Sequence, residues 1–314
     1  MLRESAAPPA TIQFVQAHGV TWVSVERPTQ AETSELARRF GLRPGDFEMA
    51  LGRGRPSGFI HRGTYDAIAV QIPMPAMPRN PTNSAATSVS VFVGSDYVVT
   101  VHAGDVRPMI RLFRDLETDE HELDLAFAGG VSNVLLLIVQ RLIDAIASAR
   151  NRLEHDISLR EEAAMGRVSV SLDGFAGLAR LRRETRAQRR IVAPLPGLIR
   201  DIVGLSSLTV DEESWGELAR RADRLVQDAE DDLAAVDGLF LSAALSEQSK
   251  ATTYTRTAAV VVAAALPVLV VAALLGMALT NPLTDQANGF SIGLAVAGCV
   301  FLMALLVMKR HHLL

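Results

Sequence analysis

Asp228, Glu230, Asp231, Asp232 and Asp237 place five carboxylates within ten residues. Carboxylate oxygens are the groups that gather hard divalent cations, but an acidic run on a helix is equally a solvated face, and both readings stand at this point. The opposite charge is concentrated at Arg180 to Arg190, RLRRETRAQRR. That run can pair with those acids, meet lipid headgroups, or simply face water. Catalytic chemistry finds little support. The chain has no HExxH and no GxxxxGK[ST], and Gly52 and Gly54 read as a turn rather than a dinucleotide loop. Its histidines, among them His18, His61, His102, His121 and His155, are scattered singly. Cys299 is the only cysteine, which excludes an internal disulfide framework and a thiolate zinc site within one chain. The chain is therefore read as a non-enzyme.

The elements that must position those charges are uneven in composition. The 314 residues carry 31 lysines and arginines against 35 acids, a net charge of −4, which rules out a polycation built to coat nucleic acid. Hydrophobic residues make up 49% but aromatics only 5%, alongside 21% charged residues. Such a balance suggests a charged soluble part joined to a very apolar one.

The apolar part is C-terminal. Ala258 to Leu279 and Phe290 to Met308 contain no charge. A bilayer core about 30 Å thick needs roughly 20 helical residues, so both stretches can span. Pro267 lies inside the first, where a transmembrane helix tolerates it. Lys250 and Arg256 precede the pair, Lys309 and Arg310 follow it, and the loop from Thr280 to Gly289 has only Asp285. The positive-inside rule then puts both termini in the cytoplasm of a two-span inner-membrane protein. The first twenty residues lack a continuous apolar run, so no cleaved signal peptide is expected.

Residues 1–115 read as a cytoplasmic α/β domain. Gly19 to Val25, Asp66 to Pro73, Thr87 to Val93 and Tyr97 to His102 have strand patterns, with Gly94-Ser95-Asp96 as a hairpin turn and Pro73 to Thr82 as loop. Thr33 to Gly41 reads as a short helix capped by Ser34. Residues 116–210 are expected to be helical, in a domain whose long helical patterns run from Val106 to Leu116, Ser132 to about Met165, and Leu172 to Val203. From Asp211 to Leu279 no proline intervenes before Pro267, which predicts one helix: a stalk over 211–257 and a first span over 258–279. A loop at 280–289, a second span at 290–308 and a basic tail at 309–314 complete the order. One such hairpin cannot enclose a conduit, so transport would demand several copies around an axis.

This layout resembles the CorA family of divalent-cation transporters. The matching residues are Leu266-Pro267, Gly276-Met277 and the tail Lys309-Arg310-His311-His312-Leu313-Leu314. Trp22 to Val25, Leu239 to Ser242 and Ser249 to Thr252 also fit. The resemblance implies a funnel-shaped homopentamer carrying Mg2+, Co2+, Ni2+ or Zn2+, with that ion also acting on a cytoplasmic sensor. The family signature Gly-Met-Asn is here Gly276-Met277-Ala278. An alanine methyl cannot accept a hydrogen bond from a hydrated ion, and Asn281 either takes over one turn later or merely caps the helix. The pore face implied by the family is Thr252, Thr255, Ala258, Val262 and Leu266, with Lys309 and Arg310 as a basic collar. The implied sensing acids are Asp228, Asp231, Asp232 and Asp237. The altered signature leaves open a shift toward zinc, or a membrane-anchored regulatory homologue that does not conduct.

Overall fold

A computed structural model describes residues 11–51, 56–74, 86–102, 106–165, 172–205 and 211–277, with Ala295, Gly298 and Cys299. The chain divides into two units. The first holds Met1–Arg167 and Ser171–Phe240, the second Val168–Val170 and Leu241–Leu314.

The first unit is built on a six-stranded mixed sheet: β1 (Thr11–Ala17), β2 (Val20–Glu26), β3 (Gly58–His61), β4 (Asp66–Pro73), β5 (Ala86–Val93) and β6 (Tyr97–His102). The strand order is β1-β2-β6-β5-β4-β3. β2 and β6 pair in parallel, Trp22 opposite Val98, and every other pairing is antiparallel. The inner strands β2, β5 and β6 are buried on both faces, and the polar residues they carry, Ser24, Ser88, Ser90 and Thr100, are small enough to be buried with their valines. Successive residues divide between the two faces. Val23, Val25, Val99, Val101 and Phe92 lie against α1 (Gln30–Phe40) and α2 (Pro44–Leu51). Trp22, Val91, Val93 and Val98 lie in the larger core on the other face.

Helices α3 (Arg107–Thr118), α4 (Glu120–Ala128), α5 (Gly130–Met165), α6 (Leu172–Val192), α7 (Leu195–Val203) and the start of α8 (Glu212–Met277) complete the unit. Met109, Phe113, Phe127, Leu135, Ile138 and Leu142 fill that larger core with Trp22 and Trp215. The Trp22 and Phe113 rings lie 5.1 Å apart, and the Trp22 Nε1–H donates to Thr100 Oγ1 at 3.1 Å, so the buried indole is satisfied at both its apolar and polar ends.

Several local features differ from the sequence expectation. β1 pairs with β2 through a tight turn at His18 and Gly19, both at positive φ (48° and 76°). This pair suits the primed hairpin turns, which need the left-handed region twice. α1 begins earlier than Thr33: its cap is Thr29, not Ser34. Thr29 Oγ1 accepts from the Glu32 N–H while the Glu32 carboxylate accepts from the Thr29 N–H, forming a reciprocal capping box. Ser34 instead donates its hydroxyl to Gln30 O from inside the helix. The helix ends at Gly41, φ 64°, whose N–H bonds to Ala37 O. The expected helix from Leu172 to Val203 is two helices, because Pro194 lacks an N–H and its ring opposes continuation of α6. The expected loop at Pro73 to Thr82 falls largely outside the described residues, as do Gly52 and Gly54.

α8 is one continuous helix from Glu212 through Pro267 to Met277. Asp211 is its cap, with Oδ1 accepting from the Glu213 N–H at 3.3 Å and Oδ2 from the Ser214 hydroxyl at 2.5 Å. These bonds hold the Asp211 carboxyl below its ordinary value, the Ser214 hydroxyl contributing most. In the second unit α8 runs from Leu241 to Met277.

Candidate functional site

Thr252, Thr255, Ala258, Val262 and Leu266 all lie on α8 and are exposed in the single chain. Their spacing of three and four puts them on one face. Thr252 donates its hydroxyl proton to Gln248 O at 3.0 Å, one turn back. With the proton engaged there, its oxygen is left as an acceptor. That polarity is the one a hydrated cation requires, since bound waters turn their hydrogens outward. Beyond Thr255 and Arg256 the helix carries no charge as far as Met277, and Val261, Val262, Leu266 and Leu269 are 62%, 58%, 54% and 64% exposed. A segment apolar on more than one face and uncovered by its own chain needs an apolar surround or further copies to cover it. Gly276 and Met277 form the end of α8. Ala278, Asn281, the loop at 280–289, Lys309 and Arg310 lie outside the described residues, and of the expected second span only Ala295, Gly298 and Cys299 lie inside them.

Among the described residues, the one helix long and apolar enough to cross a membrane by length and composition is Gly130–Glu162 of α5, but half of its apolar window is buried in the first unit. Leu135, Ile138, Leu142 and Ile146 are completely inaccessible there. It is a core helix.

The acidic run of α8 meets arginines of the same chain. Arg150 on α5 donates to Asp232 from Nε at 3.0 Å and from Nη2 at 3.2 Å, while Nη1 lies 3.3 Å from Asp228 and 3.2 Å from Glu154. The Arg150 side chain is 14% exposed and that of Asp232 9%. Burial works against the Arg150 charge. The Asp232 hydrogen bonds and the fields of Asp232, Asp228 and Glu154 outweigh it, so the guanidinium is held above its ordinary pKa. Arg182 on α6 donates to Asp237 at 2.5 Å with its guanidinium 5.2 Å from the centre of the Phe240 ring. Arg189 reaches Glu230 at 2.9 Å, and Arg221 of α8 reaches Asp144 of α5 at 2.6 Å. Asp231 is exposed.

Of the readings open for the Arg180–Arg190 run, pairing with the α8 acids is therefore observed for Arg182 and Arg189. Among the described residues no three His, Cys, Asp or Glu side chains converge as a metal site. Arg150 was not singled out from the sequence. Its only signal was Glu154 four residues later on the same helix, and that spacing does not reveal a partner on α8.

The family model described as CorA-like Mg2+ transporter protein matches residues 17–310. Among solved structures, the complete CorA magnesium transporter of Methanocaldococcus jannaschii superposes with a TM-score of 0.81 at 14% identity, covering 94% of this chain and 92% of that one. The full-length CmaX protein gives 0.72 at 19% identity, covering 93% and 88%. The ZntB cytoplasmic domain of Vibrio parahaemolyticus RIMD 2210633 gives 0.59 at 13% identity, covering 73% and 88%. No curated protein matches the sequence. A sheet-based unit leading into a helix of the length and composition of α8, matched by the family model over nearly the whole chain, has one reading: the chain belongs to the CorA-like Mg2+ transporter family.

Proposed function

We propose that this protein carries a hydrated divalent cation, Mg2+, Co2+, Ni2+ or Zn2+, along the axis of a homopentamer in the inner membrane, with both termini cytoplasmic. The observation that carries the reading is the composition of one face of α8: hydroxyl groups at Thr252 and Thr255, then an uncharged segment as far as Met277. Mg2+ gives up its waters reluctantly. A ring of neutral acceptors and a bore wide enough for the shell suit it better than carboxylates, and α8 has none from Thr257 to Met277. The same lack of intramembrane acids speaks against proton coupling. Ala258 and Val262 line a wide, weakly apolar passage in this reading, Leu266 its narrowest apolar ring, and Asn281 the outer mouth in place of the signature asparagine that Ala278 lacks. Lys309 and Arg310 form a collar at the inner interface. Metal sensing through Asp228, Asp231, Asp232 and Asp237 rests mainly on the exposed Asp231, since arginines hold the other three.

The test is metal uptake into proteoliposomes by the wild type, Thr252→Leu and Asn281→Ala. Conduction predicts flux in the wild type, a strong loss in Thr252→Leu and altered ion preference in Asn281→Ala. No flux in any of the three overturns conduction in favour of a membrane-anchored regulator, and unchanged selectivity in Asn281→Ala leaves that residue a helix cap.

A further inference from the structure

We infer that Leu241 and Leu245 of α8, repeated in each copy of the chain, close the passage at its cytoplasmic end as two apolar rings. The inference deepens the proposed passage and rests on it. Both leucines are large, apolar and open to solvent, 61% and 55% exposed. Water is a poor surround for them, and the bilayer does not reach them. Leu245 precedes Ala258 by 13 residues, about 20 Å along the helix, with Lys250 and Arg256 between. The headgroup layer adds about 5–8 Å beyond each side of the hydrocarbon core. The surround left to both leucines is α8 of a further copy.

The spacing along α8 carries the same reading. The exposed positions Leu241, Leu245, Gln248, Thr252 and Thr255 follow one another at steps of four, three, four and three. The alternation runs on through Val262 to Leu266, and none of these positions is charged. A mean step of about 3.5 residues keeps one stripe turned toward partner copies in a left-handed bundle. Along that stripe the polarity changes in order: two leucines, three polar residues, then the uncharged segment. Around an axis, Gln248 to Thr255 make a polar chamber about 10 Å long, with an apolar stretch at either end. A hydrated cation finds acceptors in the chamber and none at the leucine rings, where a narrow apolar bore sheds water. Thr255 and Ala258 are too small to make such a constriction, so on this side the barrier falls to the leucines. Release into the cytoplasm then requires the copies of α8 to part at Leu241 and Leu245, and the barrier itself needs no metal ligand.

The experiment uses the full chain in proteoliposomes, with Mg2+ as the probe. Leu241→Asn/Leu245→Asn places hydrogen-bonding groups in both rings, and Leu241→Ala/Leu245→Ala widens them. Each pair is expected to raise uptake about tenfold over the wild type, and Leu241→Phe/Leu245→Phe to lower it. Juxtaposition of the copies is read without transport, in a Cys299→Ser background that removes the native thiol. There Leu241→Cys and Leu245→Cys should be joined between copies by a short thiol-specific cross-linker. Arg190→Cys, at an exposed position of α6, should not. Wild-type flux left unchanged by the asparagine and alanine pairs overturns the inference and leaves conduction standing. Failure of both leucine positions to cross-link, or equal cross-linking at Arg190→Cys, overturns it as well. No flux in any protein, with the leucine positions cross-linked, overturns conduction itself and the rings as its barrier. If the asparagine pair does not fold, the alanine pair and the cross-links decide.

Discussion

The Arg62 guanidinium holds the buried Asp46 carboxylate in two parallel hydrogen bonds, 2.6 Å and 2.9 Å long. The Tyr65 hydroxyl donates to the same carboxylate at 2.5 Å and accepts from the Arg43 N–H at 3.1 Å. One buried acid thus ties the start of α2 to the β3–β4 hairpin, where the Arg62 N–H also bonds Tyr65 O across the turn. Asp46→Ala leaves the guanidinium and the hydroxyl without their acceptor. It is expected to destabilise the first unit by about 2–3 kcal/mol, read from denaturant unfolding by tryptophan fluorescence. No change would mean that water replaces the carboxylate without loss.

The same pair sets a pH dependence. Asp46 is held below the ordinary carboxylate range, first by the Arg62 hydrogen bonds, against a burial penalty that pushes the other way. A carboxyl whose folded value lies below its unfolded one contributes stability fully present above the unfolded value, about 3.9, and lost as pH falls through the folded value. Between pH 7 and pH 5 the unfolding midpoint should therefore be insensitive to this group, and it should fall below about pH 4. The wild-type drop should be steeper than that of Asp46→Asn; parallel profiles would remove Asp46 from the acid response.

The capping box locates the beginning of α1. Thr29→Ala should cost about 1 kcal/mol, and Ser34→Ala, one turn inside the helix, should stay within about 0.5 kcal/mol of the wild type. Unfolding midpoints of the two variants discriminate the structural cap from the one expected by sequence. Equal losses would contradict the assignment.

Phe47 is fully buried and stacks on Phe92 with ring centres 4.9 Å apart, under the α1–α2 layer. Truncation to alanine removes its burial and leaves a cavity, for an expected loss of about 3–5 kcal/mol in the first unit. A loss below about 1 kcal/mol would show that this layer collapses freely onto the sheet.

Thr252 offers a finer test of the proposed passage than its replacement by leucine. Valine keeps the shape and removes the oxygen; serine keeps the oxygen. Losing one hydrogen bond to a charged, hydrated ion is worth about 1.5–3 kcal/mol, so Thr252→Val should lower uptake about tenfold or more, and Thr252→Ser should retain most of it. Equal uptake by both would make the threonine a packing residue.

The strands most visible in the sequence, Asp66–Pro73 and Tyr97–His102, emerged with the expected bounds because their β-branched and apolar residues dominate a short segment bounded by turn residues. β1 did not, since an edge strand with Ile12 and Phe14 exposed, 41% and 74%, has no clean alternation. α2 and α4 were also missed; at 8 and 9 residues they are too short for periodicity to separate them from loop. The break between α6 and α7 was legible in Pro194, yet the apolar periodicity on either side obscured it.

Of the candidate site, the sequence by itself determined the long α8 and the uncharged segment toward its end. A run without charge and without a breaker restricts a chain to very few conformations, whatever surrounds it. The partners of Asp228, Asp232 and Asp237 were decided only by the tertiary structure. Arg150 lies 82 residues from Asp232, and Arg182 lies 55 from Asp237. Charge pairing at such separation depends on which helices pack side by side. That choice is made by the apolar faces of α5, α6 and α8, and the charges follow.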